Sequence, residues 1–135
     1  MEEMTIRVPV TIKSKVTEDL KVKLTADLQH RLDLVEQDLQ QLEFQAKRLE
    51  SEQAKLDLQG IIQLRQQIEE NKNQRLSIKA DVAAKLKDVE NLELGSEINQ
   101  GTFERSVTVK VGDDFDSLMG SEILLEDGKI VAFRN

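Results

Sequence analysis

The amino-acid sequence predicts an α+β protein, with a long antiparallel coiled-coil helical hairpin on a small antiparallel β-sheet formed by both chain termini. Three observations support this fold class. Apolar residues alternate near both ends of the 135-residue chain, and this period is typical of half-buried strands. A heptad repeat runs between them through residues 17–92, which indicates paired helices. The residues beside the first half of the repeat are acidic, and those beside the second half are basic.

The N-terminal segment, residues 1–16, is predicted to be a strand of the β module. Ile6, Val8, Val10 and Ile12 share one face, and polar residues occupy the other. Pro9 cannot donate a backbone hydrogen bond. We therefore expect one side of this strand to be a sheet edge.

The coiled-coil segment, residues 17–92, begins at Thr17, which can cap a helix that opens with two acidic residues. Apolar residues then recur at alternating spacings of four and three, the pattern of a coiled-coil seam. This first seam consists of Leu28, Leu32, Val35, Leu39, Leu42, Ala46, Leu49, Gln53 and Leu56. A second seam consists of Ile61, Leu64, Ile68, Asn71, Arg75, Ile78, Val82, Lys85, Val89 and Leu92.

Charge favours a fold-back between the two seams. A turn near residues 58–60, made possible by Gly60, brings acidic flanking residues opposite basic ones. The predicted pairs are Glu36 with Lys79, Glu43 with Lys72, and Glu50 with Arg65. An unbroken helical rod exchanged between two chains would use the same pairs in trans, and it stays open as an alternative.

The C-terminal segment, residues 93–135, is predicted to be a β module. Near its start lies Gly95, which can end the second helix. Residues 103–111 alternate as a strand, and residues 112–120 have the composition of a capped turn or short helix. Asp127-Gly128 lies between two apolar runs, which is a strong hairpin signal.

Both faces of that last hairpin are apolar. Ile123, Leu125, Ile130 and Ala132 are expected on one face, and Leu124, Val131 and Phe133 on the other. A module this small needs cover for the second face, so self-association through it is expected. Two sets of candidate partner-binding residues follow: Leu124, Val131 and Phe133 in the module, and Leu58, Ile61 and Ile62 at the hairpin tip, beside Leu56.

Composition argues against most catalytic chemistry. The chain has no Cys and one His, His30, which is expected on the solvent side of the helix. Asp113, Asp114 and Asp116 lack the spacing of a calcium loop and suit helix capping. No phosphate loop, nucleophile elbow or zinc-protease motif occurs. We expect no enzyme activity, and no catalytic, cofactor-binding or metal-binding residues.

Charge and hydropathy bear on location and partners. The net charge of −7, with no Trp or Tyr, disfavours direct nucleic-acid binding. The longest apolar run, residues 130–133, is far shorter than a membrane span, and the N-terminus lacks the features of a secretion signal. A cytoplasmic protein without membrane partners is expected.

Several segments together resemble the YlqD family of uncharacterised bacterial proteins. The opening residues 8–20, the helix-ending Leu-Gly-Ser-Glu at 94–97, and the strand segments at 109–113 and 126–131 match its pattern in order and spacing. The resemblance implies no established activity and no catalytic residues. In some bacteria the genes of this family lie beside genes for ribosome maturation, so the resemblance points to that process.

The function predicted from the sequence is therefore a non-enzymatic interaction or scaffold protein that assists ribosome assembly. Its expected partners are unidentified proteins, further copies of itself and a ribosomal particle. The alternative is a prefoldin-like chaperone that holds unfolded clients with the apolar tip of the hairpin.

Overall fold

The computed structural model of the protein describes residues 2–52 and 57–135. The elements are β1 Glu3–Lys15, α1 Glu18–Ser51, α2 Leu58–Glu90, β2 Glu97–Lys110, α3 Phe115–Leu118, β3 Ser121–Glu126 and β4 Lys129–Arg134. Two long helices thus lie between strands from both termini, which confirms the α+β class. The chain divides into a sheet unit, Met1–Val22 with Leu92–Asn135, and a helical unit, Lys23–Asn91.

The sheet has four strands in the order β2-β1-β3-β4. β1 pairs with β2 in antiparallel register from Glu3 opposite Lys110 to Lys15 opposite Glu97. β1 pairs with β3 in parallel, however, so the sheet is mixed and the prediction of a purely antiparallel sheet is wrong. The connection between β2 and β3 contains α3 and carries the chain to the other side of β1, where β3 runs in the direction of β1.

Pro9 marks the point where the pairing of β1 changes. At Pro9 the strand pairs with β2 alone, opposite Glu104. The pairing with β3 starts at the next residue, Val10 opposite Ser121. The expected edge at Pro9 is therefore confirmed, but it ends there because β3 lies along the rest of the strand.

Alternation along β1 builds the core of the sheet unit. Val8, Val10 and Ile12 are buried on one face, and Val16 continues this core beyond the strand. Ser121 is also buried, and its hydroxyl is satisfied: it accepts from Arg105 Nη2 at 3.2 Å and donates to Asn135 Oδ1 at 3.0 Å. No aromatic residue contributes to this core, which is made of β-branched side chains.

The predicted β-hairpin at Asp127-Gly128 and the predicted helix start at Thr17 are both confirmed. Asp127 and Gly128 have φ of 50° and 82°, the left-handed pair of a type I′ turn between β3 and β4. Thr17 Oγ1 accepts from the backbone N–H of Leu20 at 3.1 Å and so caps α1. The same hydroxyl donates to Asp127 Oδ1 at 2.5 Å, which ties the hairpin turn to the start of the helix.

The break between the helices falls earlier than residues 58–60. α1 ends at Ser51 and α2 begins at Leu58. Asp57 is the N-cap of α2, and its carboxylate accepts from the backbone N–H of Gly60 at 2.6 Å. Gly60 therefore lies in the first turn of α2, and the prediction that it forms the turn is wrong. Gln53 and Leu56 lie outside the described residues.

The two seams differ in how fully they are buried. On α1, every described member of the predicted seam is buried or half-buried: Leu28, Leu32, Val35, Leu39, Leu42, Ala46 and Leu49. Among the predicted seam positions on α2, only every seventh residue is buried or half-buried: Ile61, Ile68, Arg75, Val82 and Val89. Lys79 and Leu86, outside that seam, are also half-buried. The intervening seam positions of α2 within the helical unit are exposed: Leu64, Asn71, Ile78 and Lys85.

Among the described residues, two ion pairs join the helices. Lys79 Nζ lies 3.7 Å from Glu36 Oε1, which confirms one predicted pair. Arg75 Nε donates to Asp38 Oδ2 at 3.2 Å. The sequence places Arg75 in the seam opposite Leu42, but its long side chain reaches past the seam to a carboxylate, so the charge is not buried alone.

Candidate functional site

The first turn of α2 presents an apolar patch. Leu58 and Ile62 are exposed and lie one helical turn apart, so they share a face. Ile61 is only 5% exposed and belongs to the helix seam. Ile61 is therefore not part of an exposed surface at this turn, and its role in partner binding stays a prediction. We refer to Leu58 and Ile62 as the α2 patch.

The last hairpin differs from its predicted pattern at one position. The register shifts between Leu124 and Leu125, so that Leu124 faces Ala132 while Leu125 faces Ile130. Val131 is the extra residue of a β-bulge. Phe133 therefore shares a face with Ile123 rather than with Leu124, and the predicted grouping of faces is wrong.

Phe133 has an aromatic companion on the same face of the sheet. Phe103 of β2 lies opposite Val10 of β1. Ile12 of β1 lies opposite Ile123 of β3, which in turn lies opposite Phe133 of β4. Because Val10 and Ile12 are two residues apart, all of these side chains share the core face. We refer to Phe103 and Phe133, one on each outer strand, as the sheet aromatic pair.

Aromatic exposure is a general property of this chain. Its four Phe residues, 44, 103, 115 and 133, are between 59% and 75% exposed. Sequence reasoning selected Phe133 but missed Phe103, which it assigned to a strand without asking what covers it. The signal was present, since alternation placed Phe103 among the apolar residues of the first C-terminal strand.

The predicted module residues differ in accessibility. Phe133 and Val131 are exposed, whereas Leu124 is half-buried. Val131 projects at the bulge and Phe133 at the outer strand. Of the six residues selected from the sequence, four are thus exposed: Leu58, Ile62, Val131 and Phe133.

A groove runs between the two helices. It encloses about 470 Å³ and is lined by apolar residues of both helices, among them Leu39, Leu42, Ile68 and Leu76. Glu43 and Lys72, a predicted ion pair, both line it but form no ion pair with each other.

The turn that contains Asp113 and Asp114 is stabilised by hydrogen bonds to their own carboxylates. Asp113 Oδ2 accepts from the backbone N–H of Lys110 at 2.9 Å, and Asp114 Oδ1 accepts from that of Asp116 at 3.2 Å. Asp114 is the N-cap of α3, as the sequence predicts for this segment. Within residues 2–52 and 57–135, no three His, Cys, Asp or Glu residues are grouped to hold a metal ion.

A chain of ion pairs crosses all four strands of the sheet. Lys13 Nζ lies 2.8 Å from Glu122, and Glu122 lies 3.3 Å from Arg134 Nη2. Arg134 also donates to both carboxylate oxygens of Glu97, at 2.5 and 3.2 Å. This bidentate hydrogen bond lowers the pKa of Glu97 below its usual value near 4.5, and it raises the pKa of Arg134.

The substitution Arg134→Gln is expected to remove the acid-dependent part of this stabilisation. Because the pKa of Glu97 is lowered by folding, its bond with Arg134 stabilises the fold above the ordinary glutamate pKa. That contribution disappears as the pH falls through the lowered pKa of the folded state. Urea unfolding over a series of neutral to acidic pH values should show the variant destabilised at neutral pH and equal to wild type in acid.

Arg7→Gln is the matched control for this prediction. Arg7 lies 3.9 Å from Glu104, and both side chains are well exposed. Such pairs contribute little to stability. If the Arg134 and Arg7 variants gave the same pH profile as wild type, the Glu97–Arg134 pair would have no energetic role.

The chain is similar to known proteins over nearly its whole length. The family model for YlqD protein matches residues 4–134. Uncharacterized protein YlqD from Bacillus subtilis (strain 168) is 29% identical over 126 residues, which span 93% of this chain and 94% of that protein. A crystal structure of a protein of unknown function from Synechococcus sp. WH 8102 has a TM-score of 0.80 at 22% identity, over 98% of this chain and 95% of that one, and this likeness concerns the fold.

Among the described residues, no helix combines the length and hydropathy needed to cross a bilayer.

The match to the family model identifies the family of this chain, because it leaves only a few terminal residues unmatched. The resemblance found in the terminal motifs is thereby confirmed, and the chain belongs to the YlqD family.

Proposed function

We propose that this protein is a non-enzymatic interaction protein whose sheet unit docks on a basic protein surface. The observation that carries the proposal is the exposure of the sheet aromatic pair on the outer strands of one sheet face. Exposed aromatic side chains are typical of interface anchors. The face has an apolar centre, so a partner would extend a core that the sheet unit already possesses.

Charge supports a basic partner. The sheet unit carries 13 Asp or Glu residues and 8 Lys or Arg residues. Several of these acids, including Asp113, Asp114 and Asp116, are exposed. Complementary charge favours fast and selective association with a positively charged surface. A nucleic acid is disfavoured by the same balance.

Ribosome assembly is the process we propose for this docking. In some bacteria the genes of this family lie beside genes for ribosome maturation, which supports this proposal, and ribosomal particles present many basic protein surfaces. A cytoplasmic location follows from this role. The helical unit would act as an antiparallel coiled-coil hairpin that spaces or orients partners, a role supported by the buried seam of α1 and the pair Glu36–Lys79.

Sedimentation of native lysate through a density gradient tests the proposal. Wild-type protein is expected to travel with ribosomal particles and to stay there at moderate salt. Phe133→Ser should shift it to light fractions, because it removes an interface anchor. Phe44→Ser is the matched control, since Phe44 is similarly exposed but lies in the helical unit. Wild-type protein confined to light fractions would contradict the ribosomal role.

A holdase chaperone is the second candidate, and the α2 patch favours it. Leu58 and Ile62 form an exposed apolar surface at one end of α2. If this patch held unfolded chains, the protein would suppress aggregation of a model client, and the double variant Leu58→Gln, Ile62→Gln would not. Leu34→Gln, an exposed apolar position in the middle of α1, should behave as wild type. Equal client aggregation with and without wild-type protein would remove this candidate.

A further inference from the structure

The groove between α1 and α2 has rims of opposite charge. The acidic rim on α1 consists of Glu36, Glu43 and Glu50, and the basic rim on α2 consists of Arg65, Lys72 and Lys79. Each rim repeats every seven residues, so both follow the groove along its length. Glu69 also lines the groove and lowers the positive charge of the α2 rim without reversing it. We refer to this surface as the charged groove.

Most of these charges have no partner within the described part of the chain. Glu36 and Lys79 pair at 3.7 Å at one end of the groove. One heptad further along, Glu43 and Lys72 line the groove without an ion pair. Glu50 and Arg65, one heptad beyond, line an adjoining cavity of about 340 Å³, and no ion pair joins them. Two carboxylates and two cations therefore remain available along about 10 Å of each helix.

We infer that the charged groove binds the charged groove of a second copy of this chain. A two-fold axis parallel to the helices places α1 of each copy over α2 of the other, at the same height. The acidic rim of each copy then faces the basic rim of its partner, including Glu43 opposite Lys72. A two-fold axis across the helices would oppose like-charged rims, which is unfavourable. The charge pattern thus selects both the occupant and its orientation.

Apolar contact accompanies the charge pairing. Leu76 lines the groove and is 43% exposed, while Leu39, Leu42 and Ile68 are half-buried in its floor. Face-to-face association would cover these side chains in a four-helix arrangement. The isologous contact is self-complementary, as a closed dimer requires.

A second cavity between the helices lacks these properties. It encloses about 340 Å³, and its lining includes Gln45, Gln67, Asn71 and Leu64. Amide side chains dominate its rim, and no rows of opposite charge flank it. Leu64 is 39% exposed, close to the value for Leu76. This cavity therefore supplies a matched control position on the same helix.

Charge reversal with mixing tests the inference on the full chain. Variant one carries Glu43→Lys and Glu50→Lys, and variant two carries Arg65→Glu and Lys72→Glu. Each alone presents two rims of one sign, so each dimer should weaken at least about tenfold in sedimentation equilibrium. An equimolar mixture should restore dimers, because every rim then faces its opposite. If the mixture stayed monomeric while both variants kept wild-type helical circular dichroism, the inference would be overturned.

Neutral substitutions keep the test valid if charge reversal opens the helix pair. Leu76→Gln should weaken the dimer about tenfold, and Leu64→Gln should leave it unchanged. Equal effects of the two substitutions would contradict the inference that the charged groove forms the dimer contact. A wild-type monomer at high micromolar concentration would also contradict it, as would a dimer that Phe133→Ser abolishes and charge reversal spares.

This inference deepens the proposed function by naming a second copy of the chain as one partner. The dimer and the ribosomal docking role can nevertheless be disproved independently of each other. A monomer that travels with ribosomal particles would overturn the dimer and leave the docking role intact. A groove-dependent dimer confined to light fractions would support the inference and contradict the ribosomal role.

Discussion

Replacing Val8 by aspartate is expected to unfold the sheet unit, lowering the free energy of unfolding by at least about 4 kcal/mol. Val8 is 1% exposed and lies near the middle of β1. A carboxylate there loses its hydration, and the neighbouring core residues Val10 and Ile12 offer it no hydrogen bond. Arg105 lies opposite Val8, but its guanidinium already donates to the buried Ser121 hydroxyl. The substitution would also place a charge within the strand that pairs with both β2 and β3.

Met4→Asp is the matched control for Val8. Met4 lies on the same strand and the same face, four residues away, but is 54% exposed. Its substitution should change stability by no more than roughly 0.5 kcal/mol. Because the chain has no Trp or Tyr, backbone amide NMR signals of β1 and β2 are the suitable readout. Native-like signals in the Val8 variant would mean that β1 does not supply the core of this unit.

Much of the fold follows from periodicity. The seam of α1 could be predicted because alternating spacings of four and three keep side chains on one face, and each described seam residue is buried or half-buried. The hairpin at Asp127-Gly128 could be predicted because a type I′ turn needs two left-handed residues. In both cases the local sequence determines which residues share a face or adopt the left-handed conformation.

The errors arise where an outcome depends on contacts distant in sequence. Alternation is the same for parallel and antiparallel strands, so it could not reveal that β3 runs parallel to β1. The bulge at Val131 leaves no mark in the pattern. On α2 the heptad marks two positions per repeat, but only one of them is covered. Asn71 and Lys85 gain nothing from burial, and the apolar Leu64 and Ile78, which alternate with them, are exposed as well.

The candidate site could be predicted only in part. Apolar residues at a helix start can either join a seam or remain exposed, and Ile61 does the first while Leu58 and Ile62 do the second. Gly60 predicts the turn, yet the capping carboxylate of Asp57, three residues earlier, determines where α2 begins. The acidic and basic rows of the charged groove could be predicted from the sequence. The groove that separates Glu43 from Lys72 could not.

Val82→Asp is expected to separate the two helices, at a cost of at least about 4 kcal/mol to the helical unit. Val82 is among the most fully buried side chains of the described residues, at 2% exposure. The neighbouring position gives the control, since Ala83 is exposed. Ala83→Asp should cost about 0.5 kcal/mol through helix propensity alone. Urea unfolding followed by helical circular dichroism measures both.

The pairing of Val82 across the helices can be tested by a double-mutant cycle. The ion pair Glu36–Lys79 sets the register and places Val35 beside Val82, and both valines are buried. The alanine variants of this pair should therefore show a coupling energy of at least about 0.5 kcal/mol. Leu49 is as buried as Val35 but lies about four helical turns from it, so its alanine variant should add independently to that of Val82. Coupling to Leu49 instead of Val35 would mean that the helices pair in a different register, and the opposed rims of the charged groove would then no longer face each other.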